Sequence, residues 1–243
     1  MSPAPVLALD RVTAGYGLIT VLDEVALSLH PGEILAVLGA NGSGKSTVLK
    51  TTAGLTRMIG GTIAFEGRDI TRWPAHRRAA GGIGYVPQTR NVFLDLSIAD
   101  NLRMGAFLRP RSFARDVEEV FALFPRIAER RRALAATLSG GERRMLAIGM
   151  TLLLKPRVLL LDEPSSDLSP AMVDTVFEAI ARIHRDLSIP IMLVEQNVVK
   201  ALTLASRVVV LVRGREAFDR PTSAVAVEDL HRLFVDGGVR TEA

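Results

Sequence analysis

Apolar and polar residues alternate near the start of the chain, in VLALDRVTAGYG and VLDEVALSLHPGE. Alternation of this kind, set off by glycine and proline, predicts β-strands. Three later segments, EILAVLG (33–39), VLLLD (158–162) and IMLV (191–194), are apolar over the length of a strand. Continuous apolar runs are typical of strands that a parallel sheet buries on both faces.

Weaker β-signals lie between and after these runs. GGTIAFEGRDI predicts a hairpin, and IGYVPQ (83–88) predicts a short strand that ends at a proline. RVVVLVRGREA predicts a closing hairpin with Gly214 at its turn. Both ends of the chain therefore contain strands.

Between about residues 89 and 154 the apolar spacing becomes helical. Ser97 and Asp100 form a helix start of capping-box type for SIADNLRMGAF. Ser112 is expected to cap the next helix, FARDVEEVFALF, which Pro125 ends.

One more helix, AMVDTVFEAIARIHRDL, begins after Ser169, an N-cap residue with Pro170 at the first helical position. Strands and helices thus alternate at both ends of the chain. We expect a single α/β domain with a mixed sheet core and an antiparallel β subdomain, formed by residues 1–88 and 155–243. A helical insertion subdomain is expected at about residues 89–154.

The composition narrows the possible chemistry. The chain has 243 residues, 48% hydrophobic and 23% charged, which is enough for one large domain. It contains no cysteine, and this excludes disulfides and thiolate metal sites. The formal net charge is +4, and we expect the arginine clusters at 76–78 and 129–132 to be solvated. Because no aromatic residues are interleaved with the basic ones, nucleic-acid binding is not expected.

No membrane or export segment is evident. The start of the chain lacks the basic and apolar regions of a signal peptide, and no apolar run approaches the ~20 residues that span a bilayer. We therefore expect a soluble chain, which would need another chain to cross the membrane if it works there.

A glycine-rich loop carries the first chemical signal. GANGSGKS (39–46) matches G-x-x-x-x-G-K-S/T, and it follows an apolar strand and precedes a helix. In such a loop the backbone N–H groups surround phosphate oxygens, the lysine reaches the β and γ phosphates, and the hydroxyl binds Mg²⁺. The expected phosphate-binding residues are Gly39, Ala40, Asn41, Gly42, Ser43, Gly44, Lys45, Ser46 and Thr47, with Ser46 also on the metal.

Two carboxylates end the second apolar run. Ligands of open α/β sheets bind at the carboxyl ends of the strands. Asp162 is therefore placed to hold Mg²⁺, and Glu163 to polarise an attacking water; the alternative is that the pair only caps a strand end. Gln88, at the end of IGYVPQ, could bind Mg²⁺ or orient water, or be an ordinary loop residue. Tyr16, in AGYG, could stack on adenine or be a rim aromatic of the first sheet.

The segment LSGGE (138–142) forms a second helix start suited to an anion. Glycine is unfavourable inside a helix. At a helix N-terminus, however, Gly140 and Gly141 offer bare backbone N–H groups to a phosphate, together with the hydroxyl of Ser139.

GANGSGKS, Gln88, LSGGE and LLLDEP, in this order, resemble the nucleotide-binding subunits of ABC transporters, and the resemblance covers nearly the whole chain. The wording of LSGGERRMLAIG, DEPSSDLSP and LVEQN resembles the paired ATPases of branched-chain amino acid importers. The resemblance implies a P-loop NTPase fold of ABC ATPase type, with ATP and Mg²⁺ as ligands. It also implies ATP hydrolysis, with Glu163 acting on the water, that powers import through a separate permease.

The resemblance further implies a head-to-tail dimer with a second ATPase subunit, the same chain or a related one. In that dimer Ser139, Gly140 and Gly141 of one subunit cover the nucleotide on the phosphate loop of the other. A helix of an integral-membrane permease would dock near residues 88–108, and a solute-binding protein would take part indirectly. The expected location is cytoplasmic, peripheral on the inner face of the cell membrane.

Two positions depart from the family pattern. Gln196, in LVEQN, stands where the family usually has a switch histidine. Glutamine can hydrogen-bond the γ-phosphate but cannot carry a proton near neutral pH. Ser169 stands where an aspartate is usual, which leaves open how the two subunits communicate and how fast hydrolysis is.

Other functions are compatible with parts of the pattern. The chain could serve another transporter class, or act as a non-transport ABC ATPase in DNA repair or translation. One compact cassette without heptad repeats argues against the non-transport role. A P-loop kinase or GTPase has no use for LSGGE.

Overall fold

The computed structural model describes residues 3–89 and 91–225, in which the strands form two sheets. The strands are β1 (Leu7–Tyr16), β2 (Ile19–Leu29), β3 (Ile34–Leu38), β4 (Arg57–Phe65), β5 (Arg68–Asp69), β6 (Ile83–Val86), β7 (Val158–Asp162), β8 (Ile191–Val194), β9 (Arg207–Val212) and β10 (Arg215–Pro221). The helices are α1 (Lys45–Ala53), α2 (Ala75–Gly81), α3 (Ile98–Gly105), α4 (Phe113–Leu123), α5 (Pro125–Glu129), α6 (Gly140–Leu152), α7 (Pro170–Leu187) and α8 (Val198–Leu204).

The larger sheet has the strand order β10-β9-β3-β8-β7-β6. Strands β3, β6, β7, β8 and β9 run parallel, and β10 pairs antiparallel with β9. Every residue of β3, β7 and β8 is buried, as their continuous apolar runs predict. Since parallel strands end at one edge, the segments after β3, β6, β7 and β8 all begin at the same edge of this sheet.

The smaller sheet is antiparallel, in the order β2-β1-β4-β5. The predicted hairpins β1–β2 and β4–β5 are both present. Together the two sheets confirm the mixed core and the antiparallel β part that the sequence predicts.

The larger sheet separates two hydrophobic cores. Alternate residues of β3 point to opposite sides, so Ala36 and Leu38 pack with α3, α4, α6 and α7, whereas Leu35 and Val37 pack with α1 and the smaller sheet. Helices α3 to α6 lie within the predicted insertion, whose boundaries remain a prediction. The last part of the predicted core, residues 226–243, lies outside the described residues. No helix in the described ranges combines the length and the apolar character that a membrane crossing needs.

The predicted helix caps have mixed outcomes. Ser97 accepts a hydrogen bond from the Asp100 amide at 3.0 Å, which confirms the cap of α3. The predicted cap at Ser112 is wrong, because this residue ends a 3₁₀ turn with φ −96° and ψ −3°, not the extended conformation of an N-cap. Its hydroxyl instead donates to the Arg109 carbonyl at 3.2 Å. Ser169 does occupy the N-cap position of α7, but its side chain makes no capping hydrogen bond.

The expectation of solvated arginines is wrong for Arg78. This side chain is 2% exposed, and its guanidinium donates to four backbone carbonyls. Two of them, those of Thr51 and Thr52, belong to the last turn of α1, at 2.8 and 2.9 Å. The others are the carbonyls of Thr71 and Trp73, each at 2.9 Å. Arg78 thus supplies side-chain donors to two carbonyls at the end of α1, where a helix runs out of backbone N–H partners; the Thr51 carbonyl also accepts from the Gly54 amide at 3.0 Å.

Candidate functional site

The phosphate loop between β3 and α1 needs its glycines for conformation and for space. Gly39, Gly42 and Gly44 have φ of 150°, 79° and 102°, a region that L side chains rarely adopt. A Cβ on Gly39 would lie 2.4 Å from the Leu211 carbonyl oxygen. The loop is also tied to the β9–β10 turn, because the Gly214 amide donates to the Ser43 carbonyl at 2.9 Å.

Lys45 begins α1 and folds back over the loop. Its Nζ donates to the carbonyl oxygens of Gly39 and Ala40 at 2.9 and 3.0 Å. Burial lowers the pKa of Lys45 from its usual value, while Glu163 and Asp162 act in the opposite direction. The ammonium is therefore positioned at the loop before any anion binds.

Unpartnered polar atoms are concentrated at this edge of the sheet. Within the described residues, Asp162 Oδ1 and Ser43 Oγ are two of three buried side-chain atoms with no hydrogen-bond partner. Buried polar groups are normally paired, and a buried polar atom without a partner is often one that binds an ion or ligand. Ser46 lies one residue into α1 and is half-buried, and Thr47 is buried. A carboxylate and hydroxyls of this kind are the hard oxygen donors that Mg²⁺ prefers.

Glu163 meets two glutamines that are distant in sequence. Its Oε2 accepts a hydrogen bond from Gln88 Nε2 at 2.8 Å and another from Gln196 Nε2 at 3.0 Å. The three residues follow β7, β6 and β8, which are neighbours in the sheet. The structure thus brings together the predicted carboxylate and both predicted amides.

Tyr85 is a site residue that the sequence did not reveal. Its hydroxyl donates to Asp162 Oδ2 at 3.0 Å, so that only Oδ1 of this carboxylate is left unpartnered. Burial, with a contribution from Asp162, raises the pKa of Tyr85 well above its usual value of 10.0. The register of β6 against β7 pairs Tyr85 with Leu160, and this register cannot be derived from either segment alone.

Glu195 is a second residue that the sequence did not single out, although it directly follows the apolar run IMLV. It is buried and accepts hydrogen bonds from the amide and hydroxyl of Ser165 at 2.9 and 2.8 Å. It also accepts from the Gln196 amide at 3.1 Å. Burial raises the pKa of Glu195 from its usual value. Glu195 therefore joins the acidic loop to the backbone that carries Gln196.

The LSGGE turn forms a complete capping box. The Glu142 amide donates to Ser139 Oγ at 3.3 Å, and the Ser139 amide donates to Glu142 Oε2 at 2.8 Å. Ser139 is exposed and Gly140 is half-buried, so this part of the turn reaches the surface. Gly141 is buried, and a Cβ there would lie 2.0 Å from Met172 Cε on α7. Close packing on α7 thus accounts for the glycine at 141.

Tyr16 lies at the end of β1 and is 43% exposed. Its strand pairs with β2, whose Leu22 is opposite Ala14 and would lie 2.9 Å from a Cβ on Gly44 of the phosphate loop. Tyr16 is therefore an exposed aromatic residue at the end of a strand whose neighbour, β2, reaches the phosphate loop. Ser139 and Gly140, in contrast, make no hydrogen bond to the phosphate loop among the residues that the structure describes.

A family model described as ABC transporter matches residues 22–166. The chain belongs to the ABC transporter family. Among curated members of this family it is 41% identical over 210 residues to the high-affinity branched-chain amino acid transport ATP-binding protein BraG of Pseudomonas aeruginosa. That alignment covers 86% of this chain and 90% of BraG. It is 40% identical over 210 residues to a protein of Archaeoglobus fulgidus named "Probable branched-chain amino acid transport ATP-binding protein LivF", covering 86% of this chain and 89% of LivF.

Solved structures of ABC cassettes have the same fold. A nucleotide-free ATP-binding cassette from an ABC transporter matches with a TM-score of 0.82 at 20% identity, over 96% of each chain. CbiO1 of Clostridium perfringens, part of an ABC transporter complex, matches with a TM-score of 0.82 at 22% identity, over 96% of this chain and 94% of CbiO1. The expected P-loop NTPase fold of ABC ATPase type is confirmed.

Proposed function

We propose that this chain is the ATP-hydrolysing subunit of an importer and powers solute movement through a separate membrane permease. The observation that supports this most directly is the arrangement around Glu163. Its carboxylate is hydrogen-bonded to Gln88 and Gln196 at the sheet edge where the phosphate loop begins. A phosphate-binding loop, a held carboxylate and an unpartnered Asp162 oxygen are the parts that attack of water on a γ-phosphate requires.

The residues of the chain divide the chemical work. The loop amides and Lys45 bind the phosphates and stabilise the charge that develops on them. Asp162 Oδ1 and Ser46 Oγ would hold Mg²⁺, with the side-chain oxygen of Gln88 as a further donor. Bound Mg²⁺ would neutralise charge on the phosphate oxygens. Tyr16 would stack on the adenine.

Glu163 orients the attacking water and accepts its proton. Gln88 and Gln196 each donate an amide N–H to the same oxygen, Oε2, and thereby fix the direction of the carboxylate. Neither amide can accept the proton near neutral pH, so the general-base role falls to Glu163. Gln196, at the position where the family usually has a histidine, thus helps to orient the Glu163 carboxylate.

We further infer that the transported solutes are branched-chain amino acids or related amino acids and amides. The support is the identity of 41% and 40% to BraG and LivF, whose names state that activity. The second subunit of the dimer, this chain or a related ATPase, would bring its exposed Ser139 onto the nucleotide. Mg²⁺, the dimer and a location on the inner membrane face are all parts of this proposal.

A groove of about 510 Å³ between α3, α6 and the segment after β6 fits the permease helix. Phe93, Met104 and Phe107 line it and are 50%, 48% and 64% exposed. Exposed large apolar side chains grouped in a concave surface are typical of a protein–protein contact. The groove also borders Gln88 through Pro87, so the docked helix would lie next to the catalytic residues.

Glu163→Gln tests the proposed chemistry. The change keeps the shape of the side chain but removes the base, so we expect ATP turnover to fall at least about a hundredfold. ATP binding should be retained, and a stable ATP-dependent dimer should appear in size-exclusion chromatography. Turnover within a few-fold of the wild type would remove Glu163 from this role. Absence of magnesium-dependent ATP turnover by the wild-type chain, with or without a partner ATPase, would contradict the function itself.

A further inference from the structure

Arg144 lies on α6, the helix that begins with the LSGGE turn, and its side chain reaches two other functional segments. It is 5% exposed. One guanidinium nitrogen donates to the Pro87 carbonyl at 2.9 Å. The other donates to the Gln88 carbonyl at 3.0 Å and to the Glu163 carbonyl at 3.2 Å. A single side chain therefore joins the helix of the LSGGE turn, the segment after β6 and the acidic loop after β7.

Burying the charged guanidinium of Arg144 costs free energy, which indicates that the side chain has a specific role. Among the residues that the structure describes, no carboxylate lies within ion-pair distance of Arg144, and its two terminal nitrogens donate to neutral oxygens. A buried charge is expensive, and an apolar side chain of similar volume is often as stabilising. Arginine offers something an apolar residue does not, which is a planar set of donors that can fix several carbonyls at once.

The carbonyl that Arg144 holds belongs to a residue in an unusual conformation. Glu163 has φ of 45°, in the left-handed region. Such strain persists where surrounding contacts determine the backbone from several sides. Here the Glu163 amide donates to the Val194 carbonyl at 2.9 Å, and the Glu163 carbonyl accepts from Arg144 and from Ser166. These contacts fix the direction in which the Glu163 side chain leaves the loop.

The same guanidinium acts on both members of the catalytic hydrogen bond. Arg144 donates to the backbone carbonyls of Gln88 and Glu163, and the side chains of these two residues are hydrogen-bonded, Nε2 to Oε2, at 2.8 Å. The position of one residue relative to the other is thus set twice, once through side chains and once through the backbone by Arg144.

We propose that Arg144 is a positioning residue that sets the geometry of Gln88 and Glu163 for water attack and ties it to the helix of Ser139. The inference rests on the proposed ATP hydrolysis. Arg144 itself touches neither the phosphate loop nor the Lys45 ammonium through any hydrogen bond in the described ranges. It should therefore affect the chemical step and leave nucleotide binding largely unchanged.

The test compares Arg144→Gln and Arg144→Lys with Arg143→Gln as a matched control. Arg143 is the neighbour on the same helix, and its guanidinium donates to the Leu138 carbonyl, in the turn before α6. We expect kcat of both Arg144 variants to fall roughly 10–100-fold, because small misplacements of catalytic groups have effects of this size. The Lys variant keeps the charge but cannot span the three carbonyls. The Kd for trinitrophenyl-ATP should stay within about threefold, and Arg143→Gln should keep wild-type kcat.

Three results would overturn the inference. The first is a kcat of Arg144→Gln within about twofold of the wild type. The second is a fall in kcat that is matched by a loss of titratable nucleotide sites, because such a loss indicates misfolding. If Arg144→Gln does not fold, Arg144→Lys is judged by the same criteria. If neither variant folds, the role of Arg144 is in stability alone. The third is a wild-type chain without ATP turnover, which overturns the proposed function as well. If the wild-type chain hydrolyses ATP and the Arg144 variants do so at a similar rate, only the role of Arg144 is overturned.

Discussion

Replacing Tyr85 by phenylalanine isolates one hydrogen bond next to the proposed metal ligand. The Tyr85 hydroxyl donates to Asp162 Oδ2 at 3.0 Å, and Asp162 is 2% exposed. The substitution keeps the ring and its packing, so the main loss is the donor that fixes the carboxylate. Asp162 Oδ2 then becomes a second buried oxygen without a partner, beside Oδ1.

The size of the effect follows from this geometry. A hydrogen bond to a charged group contributes about 1.5–3 kcal/mol. Removing a group that hydrogen-bonds to a metal-binding side chain typically lowers metal affinity by about 10–100-fold. The two figures agree, since a tenfold change corresponds to about 1.4 kcal/mol. We therefore expect Tyr85→Phe to need about 10–100 times more Mg²⁺ for half-maximal ATP turnover.

The assay is a Mg²⁺ titration of ATP hydrolysis, paired with Mn²⁺ binding to the ATP-bound chain measured by electron paramagnetic resonance. Nucleotide affinity in EDTA should stay unchanged, because the phosphate loop is not altered. Asp162→Asn serves as the reference for full loss of the carboxylate. If Tyr85→Phe has the wild-type Mg²⁺ and Mn²⁺ dependence at an unchanged melting temperature, the reasoning about Asp162 is refuted.

Two further predictions concern stability and titration. Arg78→Met removes the donors to four backbone carbonyls, two of them buried, and we expect a loss of at least about 3 kcal/mol in urea unfolding. Arg77→Met removes a cation–π contact with Trp73 and should cost about 1 kcal/mol or less. Equal losses for the two variants would contradict the role of Arg78 at the end of α1. Burial raises the pKa of Tyr85 above its usual 10.0, so the folded chain keeps a proton there that the unfolded chain loses, and stability should fall as the pH rises above about 10. At about pH 11 the tyrosinate absorbance of the folded chain should account for at most one of its two tyrosines, and two tyrosinates before unfolding would be incompatible with this.

The parts of the fold and site that are local in sequence could be predicted. The run VLLLD has the length and continuous apolarity of a doubly buried strand, and β7 spans Val158–Asp162. The glycines of the loop from Gly39 to Lys45 predict its conformation. In both cases the physical cause, burial or backbone freedom, acts within a few residues of the pattern that reveals it.

The contacts between segments could not be predicted in the same way. Gln88 and Glu163 follow strand-like runs, and the family resemblance points to Gln196. That the three side chains meet depends on the strand order β8-β7-β6, which no local pattern encodes. The burial of particular arginines could not be predicted from the sequence either. Charged residues are usually exposed, and only the carbonyls that surround Arg78 and Arg144 in space reverse that expectation.

The hydrogen bond between Gly214 and Ser43 has a consequence for the energetics of nucleotide binding. The phosphate loop is hydrogen-bonded to the β9–β10 turn of the core, and Gly39, Gly42 and Gly44 have positive φ values without any nucleotide. An incoming nucleotide therefore meets a preorganised cradle, and little of its binding free energy is lost in freezing the loop. In the proposed dimer, that free energy would remain available for bringing the second subunit onto the γ-phosphate.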